Sequence, residues 1–198
     1  MGQLLKLEPF ERIAGHADGL FKSYAPRLHQ YYSGANKGLE SKDSSLKRPF
    51  PNAVFAACSI NFGPKTVAHK HRDYGNLTWG WCAITSLGTY DYKTGGHLVL
   101  WDLNVVIEFP PGSTILLPSA LLCHSNTSIA PDRTRYSFTQ YSAGALFRWV
   151  DNNFQPQKKW ASQASDADFE QRQKEQEARW QKGLDMLSSL DELRATLS

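Results

Sequence analysis

Cysteine is scarce in this 198-residue chain: Cys58, Cys82 and Cys123, an odd number with no CxxC pair. That excludes a cysteine-built zinc module and a disulfide-stapled fold, and points to buried free thiols in a reducing, intracellular setting. Long apolar runs are lacking too. No stretch reaches the roughly 18 residues of a membrane span, and MGQLLKLEPFER has no signal-peptide apolar region. MGQLLK only partly matches a myristoylation signal, because Lys6 stands where Ser or Thr is wanted. Strong charge of either sign is missing as well. The net charge is +3, with the first 150 residues net +5 and the remainder net −2. Such a body tolerates a polyanion without demanding one.

What is present suffices for one substantial core: 41% hydrophobic and 12% aromatic residues. Three zones of a single domain are expected. Residues 1–50 read as a helical and loop extension. Phe10, Ile13, Leu20, Phe21 and Leu28 fit an interrupted helix, and SGANKGLESKDSS reads as a mobile loop. Residues 51–152 read as a β core. AVFAACSINF, LTWGWCAITS, HLVLWDL, VVIEF, STILLPSALLCH and RYSFTQYSAGALFRWV are apolar runs separated by turn signals such as FGPK, KTGG, PPGS and APDRTR. Strands at this spacing argue for a sandwich, jelly roll or barrel. Residues 163–198 read as a C-terminal amphipathic helix opening at Ser165, Asp166 and Asp168. Its stripe is Trp180, Leu184, Leu187, Leu190, Leu193 and Leu197, packed on the β body or offered to a protein partner.

Chemistry concentrates in HKHRDYGN, residues 69–76. At a strand end His71 and Asp73 would share a face, with Arg72 turned away. A metal needs a third ligand, and His16, His29, His97 and His124 are the candidates. His124 is the best placed, ending the strand-like run STILLPSALLCH; in a closed double-stranded β-helix such runs lie side by side. Two imidazoles and one carboxylate with open positions are the ligand set of non-haem Fe(II) oxygenases. Such a site can take a chelating cosubstrate and O₂. Arg135 and Ser137 follow, again i and i+2 on one face. An Arg fork with a neighbouring hydroxyl suits the distal carboxylate of 2-oxoglutarate. His69 with His71 is the rival local pair. His97 fits packing or support, His16 and His29 fit structural work, and Trp79, Trp81 and Trp101 read as core or barrel wall.

HKHRDYGN, WGWCAITSLG, GGHLVLWDL, PPGSTILLPSALLCH and RYSFTQY together resemble the TET/JBP group of Fe(II)/2-oxoglutarate dioxygenases, most of all the short, multi-copy versions of mushroom-type fungi. The resemblance covers roughly residues 53–152. It implies a mainly β fold with flanking helices and a double-stranded β-helix (jelly-roll or cupin-like) core. It implies iron on His71, Asp73 and His124 and 2-oxoglutarate on Arg135 beside Ser137. Asn76 would lie near cosubstrate and substrate base, and Tyr141 would stack on a flipped-out base. The implied reaction oxidises the methyl group of a nucleobase in DNA, as in demethylation. 5-Methylcytosine comes first, with N6-methyladenine or thymine also in range, and base flipping is its physical requirement. A DNA substrate would imply a nuclear location. The chain departs from TET proteins at Ala143, where they carry a base-contacting His, and it lacks their cysteine-rich zinc region. The alternatives are the same chemistry on RNA, protein or a small molecule, and a non-catalytic binding module.

Overall fold

The computed structural model describes residues 3–197. Met1, Gly2 and Ser198, including the start of MGQLLK, lie outside that description, as do the side chains of residues 196 and 197, Leu197 of the expected stripe among them. The chain divides into two compact units, Met1–Asp18 with Arg48–Gly144, and Gly19–Lys47 with Ala145–Ser198. No helix among the described residues is long and apolar enough to cross a membrane.

The first unit carries strands β1 (Ala57–Asn61), β2 (Cys82–Thr89), β3 (Leu98–Leu100), β4 (Val105–Ile107), β5 (Thr114–Leu117), β6 (His124–Asn126) and β7 (Thr134–Tyr141). They form two antiparallel sheets, of order β1-β7-β2-β5 and β4-β3-β6. An apolar cluster of Cys82, Leu98, Leu100, Phe109 and Leu117 draws on both sheets. Burying each of the larger of these side chains contributes about 1.5–3 kcal/mol. β7 alternates with period 2. Arg135, Ser137, Thr139 and Tyr141 line a cavity, while Phe138 packs with Ala14, Phe50 and Ala53. Phe10 of helix α1 (Glu8–Tyr24) and Phe50 meet the Phe138 ring edge-on, at centroid distances of 5.3 and 5.8 Å. β7 thus packs with one face and lines the cavity with the other.

Several expected runs are cut differently. STILLPSALLCH is not one strand. Pro118, lacking an N–H, ends β5, and a turn closed by Leu122 N–H to Pro118 O at 2.9 Å carries the chain to β6. His124 thus opens a strand of the other sheet. HLVLWDL is a three-residue strand followed by a 3₁₀ turn, Trp101–Leu103. Trp101 is 44% exposed, so it is not core. RYSFTQYSAGALFRWV splits into β7 and helix α3 (Gly144–Asp151).

The second unit is helical. The expected loop SGANKGLESKDSS is helix for most of its length, within α2 (Pro26–Lys42). Its glycines lower helix propensity, but Leu28, Tyr32, Ala35 and Leu39 bury one stripe, and packing outweighs propensity. A Cβ on Gly38 would meet the Phe154 ring at 3.4 Å, about van der Waals contact, so the helix lies close to that ring there. The expected single C-terminal helix is three: α5 (Asp166–Glu177), α6 (Arg179–Asp185) and α7 (Leu190–Leu197), preceded by a short α4 (Gln157–Gln163). Ser165 caps α5 in a reciprocal box with Asp168, as the sequence suggests. Ser189 and Glu192 start α7 afresh in the same manner, Ser189 N–H to Glu192 at 2.7 Å and Glu192 N–H to Ser189 Oγ at 3.2 Å. The apolar stripe is broken with the helix. Trp180 and Leu190 are 67% and 62% exposed. Arg27 of α2 pairs with Glu192 of α7 at 2.7 Å.

Candidate metal centre

His71 and Asp73 do not sit at a strand end. They lie in a loop that a single antiparallel bridge, His71 with His124, ties to β6. The bridge is reciprocal: His71 N–H donates to His124 O at 3.0 Å, and His124 N–H to His71 O at 2.9 Å. Asp73 is fixed separately, its N–H donating to Ser119 O at 2.9 Å. Backbone hydrogen bonds, not strand alternation, bring the three side chains to one point. A ligand atom from each of His71, Asp73 and His124 lies within 4.8 Å of the others, a geometry that can hold a metal ion. The two imidazole centroids are 4.3 Å apart, and His71 Nε2 is 3.6 Å from Asp73 Oδ1.

The tautomers follow from what each ring touches. His71 Nδ1 is 2.6 Å from His69 O, and His124 Nδ1 is 2.9 Å from Leu122 O. A carbonyl only accepts, so both Nδ1 atoms carry the proton and both Nε2 lone pairs are free to bind a metal. Burial pushes the His124 imidazole below its ordinary value, and the neighbouring His71 adds to this. The neutral, ligating form is thereby favoured. His69 contributes its backbone rather than its ring to this arrangement.

The three groups open into a cavity of about 390 Å³, which Arg135, Ser137, Asn76 and Tyr141 also line. Arg135 is 3% exposed. One Nη donates to Thr66 O at 3.2 Å, and its Nε finds no partner among the described residues. Burial holds its pKa below the ordinary value, with Tyr90 opposing. Arg135 lines the cavity, and a buried guanidinium there is a site for an anion. Ser137 Oγ accepts from Asn61 at 2.8 Å. Asn76 donates to Ser119 Oγ at 3.1 Å and reaches Asp73 Oδ2 at 3.5 Å, steadying that carboxylate.

Of the other candidates, His97 is engaged away from the cavity, its ring on Tyr92 O at 2.8 Å. His16 and His29 lie in α1 and α2, with His29 edge-on to Phe21 at 5.7 Å. The three cysteines are free, Cys82 and Cys123 buried and Cys58 half-buried, and burial pushes the Cys82 thiol up to about 12. The sequence reading missed Asn126, Asn61 and Ser119. Asn126 accepts from Ala68 N–H at 2.7 Å and donates to Thr66 O at 3.2 Å, lacing the segment before His71 onto β6. It stands two residues after His124, so the i, i+2 rule applied to HSN would have flagged it. Asn61 and Ser119 carry no such signal.

Gly96 maintains this neighbourhood. It has φ +72°, and a Cβ would fall 2.4 Å from the Tyr90 ring. The Tyr90 hydroxyl bonds with Ser86 Oγ at 2.6 Å and donates to Phe109 O. Gly96→Ala is expected to destabilise the protein by about 1–3 kcal/mol through overpacking and backbone strain. The measurement is a thermal melt, and an unchanged midpoint would contradict it.

No family model and no curated protein matches the sequence. Among solved structures the chain is similar to NgTET1 in complex with 5mC DNA, with a TM-score of 0.55 and 19% identity over 72% of this chain and 51% of that one. The chain spans about half the length of that protein. The likeness is one of fold, and the fold is TET-like.

Proposed function

We propose that the protein is an Fe(II)/2-oxoglutarate-dependent dioxygenase that hydroxylates the methyl group of a nucleobase in DNA, 5-methylcytosine before N6-methyladenine or thymine. Its two sheets would be the halves of a double-stranded β-helix. One observation carries the reading: a His–Asp–His cluster and a buried Arg line one cavity. The donor set fits the metal, since two neutral imidazoles and one carboxylate suit Fe(II) and leave positions open.

In this reading His71 Nε2, Asp73 and His124 Nε2 hold the metal, and their Nδ1–H bonds to His69 and Leu122 carbonyls fix the ring orientations. Arg135 binds the distal carboxylate of 2-oxoglutarate, its charge strengthened by burial away from water, and Ser137 lies beside it. Asn76 keeps the Asp73 carboxylate turned to the metal and borders cosubstrate and base. Tyr141, on the cavity face of β7, offers a ring for a base extruded from the duplex. Fe(II) held by His71, Asp73 and His124 would, with 2-oxoglutarate and O₂, supply the oxidant for a methyl C–H, with succinate and CO₂ as the other products. The substrate assignment is supported by the TET-like fold, one solved example of which is in complex with 5mC DNA. Ala143, bridged to Asn76, brings no side-chain hydrogen bond to a base, which keeps adenine and thymine derivatives within range.

The test is mass spectrometry of nucleosides and succinate after incubating the iron-loaded protein with 2-oxoglutarate and duplexes carrying each methylated base. Succinate formed together with an oxidised base is the expected result. Succinate formation that responds to RNA, peptide or small molecules but to no methylated duplex would overturn the DNA assignment. Absence of any succinate would overturn the oxygenase.

A further inference from the structure

The 3₁₀ turn Trp101–Leu103 does not line the cavity, yet it touches the residues on both sides of both histidines. Asp102 Oδ1 accepts from Arg72 Nη2 at 2.8 Å, and Oδ2 accepts from the Cys123 N–H at 2.6 Å. Trp101 Nε1 donates to Ser125 Oγ at 3.0 Å, its N–H donates to Cys123 O at 2.9 Å, and Lys70 Nζ lies 4.4 Å from the centre of its ring. Lys70 and Arg72 flank His71, and Cys123 and Ser125 flank His124. Arg72 also donates from Nε to Leu121 O at 2.9 Å, a second tie from the loop to the chain before β6.

We propose that Trp101 and Asp102 are positioning residues of the metal centre, a brace that sets the separation and orientation of His71 and His124 by holding both flanks of each. The inference rests on the metal-site reading above. Stability alone gives a poor account of the brace. The Arg72 and Asp102 side chains are 34% and 38% exposed, and exposed ion pairs contribute little to stability. Geometry gives a better one. The backbone bridge between the histidines is a single pair; Asn126 and Ala68 hold it from one end, and the turn holds the residues immediately flanking it. Asp102 reaches across it, bonding the loop through Arg72 and β6 through Cys123. Trp101 repeats the arrangement with Lys70 and Ser125. Groups that act on a metal through its ligands typically change its affinity about 10- to 100-fold when removed.

The test is titration of the metal-free protein with Co(II), followed by calorimetry and by the visible absorption that reports ligand geometry. Asp102→Ala is expected to weaken Co(II) binding about 10- to 100-fold and to change the absorption bands. Asp102→Asn should lose less, because its amide oxygen still accepts from the Cys123 N–H. Trp101→Phe, which keeps the ring and loses the Ser125 bond, should shift the bands. Lys93→Ala, which breaks the Lys93–Glu108 pair of the same length, 2.8 Å, should leave binding and spectrum unchanged. Melting of the metal-free proteins separates a loss of fold from a loss of geometry, and if Asp102→Ala fails to fold, Asp102→Asn decides. Wild-type affinity and spectrum in the Asp102 variants would overturn the brace and leave the metal centre standing. A wild-type protein that binds no Co(II) would overturn the centre itself.

Discussion

Asp73→Ala is expected to abolish metal binding while leaving the fold intact. The carboxylate is the one anionic donor of the cluster, and without it two imidazoles 4.3 Å apart by centroid remain. Two neutral ligands bind a divalent ion weakly. The loss should therefore exceed the roughly 10- to 100-fold that outer partners cost. The fold should survive because Asp73 is anchored by its backbone, N–H to Ser119 O at 2.9 Å, which alanine retains. Asn76 keeps its 3.1 Å bond to Ser119 and gives up only the long contact to the carboxylate. Calorimetric titration with Mn(II) or Co(II) reads the affinity. Under anaerobic conditions, the visible charge-transfer absorption of Fe(II) with 2-oxoglutarate reads the assembled site. Wild-type affinity in Asp73→Ala would remove the carboxylate from the site. An equal fall in melting midpoint and affinity would make Asp73 a structural residue.

The candidate ligands are more legible in the sequence than the backbone that presents them. His71, Asp73, His124, Arg135 and Ser137 announce themselves by chemical type and short spacing, and they do meet around one cavity. The route differs from the expected one. Strand alternation was to set His71 beside Asp73, and the structure uses a one-pair bridge to His124 and a tie to Ser119. Such contacts join residues about fifty positions apart through backbone atoms, which have no residue signature. The same limit hid Asp102, whose two acceptor contacts lie 30 residues before it and 21 after it in the chain. Helix α2 was misread for a different reason. Ser33, Gly34, Gly38 and Ser41 speak for a loop locally, and only burial of residues such as Tyr32 and Leu39 tips the balance. The C-terminal stripe erred the opposite way. Its spacing is helical throughout, but the capping pair Ser189 and Glu192 restarts the helix, so a periodic sequence does not become a continuous face.

Arg135→Met is expected to separate cosubstrate binding from stability. Replacing the guanidinium removes the group proposed to meet the distal carboxylate of 2-oxoglutarate. Truncating one partner of a buried, charged contact costs about 2–5 kcal/mol, roughly a 30-fold or greater rise in Kd or KM for 2-oxoglutarate. The metal cluster is not touched, so Co(II) affinity should be unchanged. Stability should move little, or rise. In the wild type Arg135 is a buried cation whose Nε lacks a partner among the described residues, a cost to the fold that a methionine of similar length does not carry. The bond to Thr66 O, at 3.2 Å, and the Tyr90 contact are modest losses against that gain. Arg135→Lys should not rescue binding, because a lone ammonium cannot reproduce the planar two-donor contact. Titration with 2-oxoglutarate beside a thermal melt decides. A fall in melting midpoint of many degrees with unaltered cosubstrate affinity would make Arg135 a structural cation of β7. Weakened 2-oxoglutarate binding at an unchanged or higher midpoint would mark it as a residue kept at the expense of the fold for what it binds.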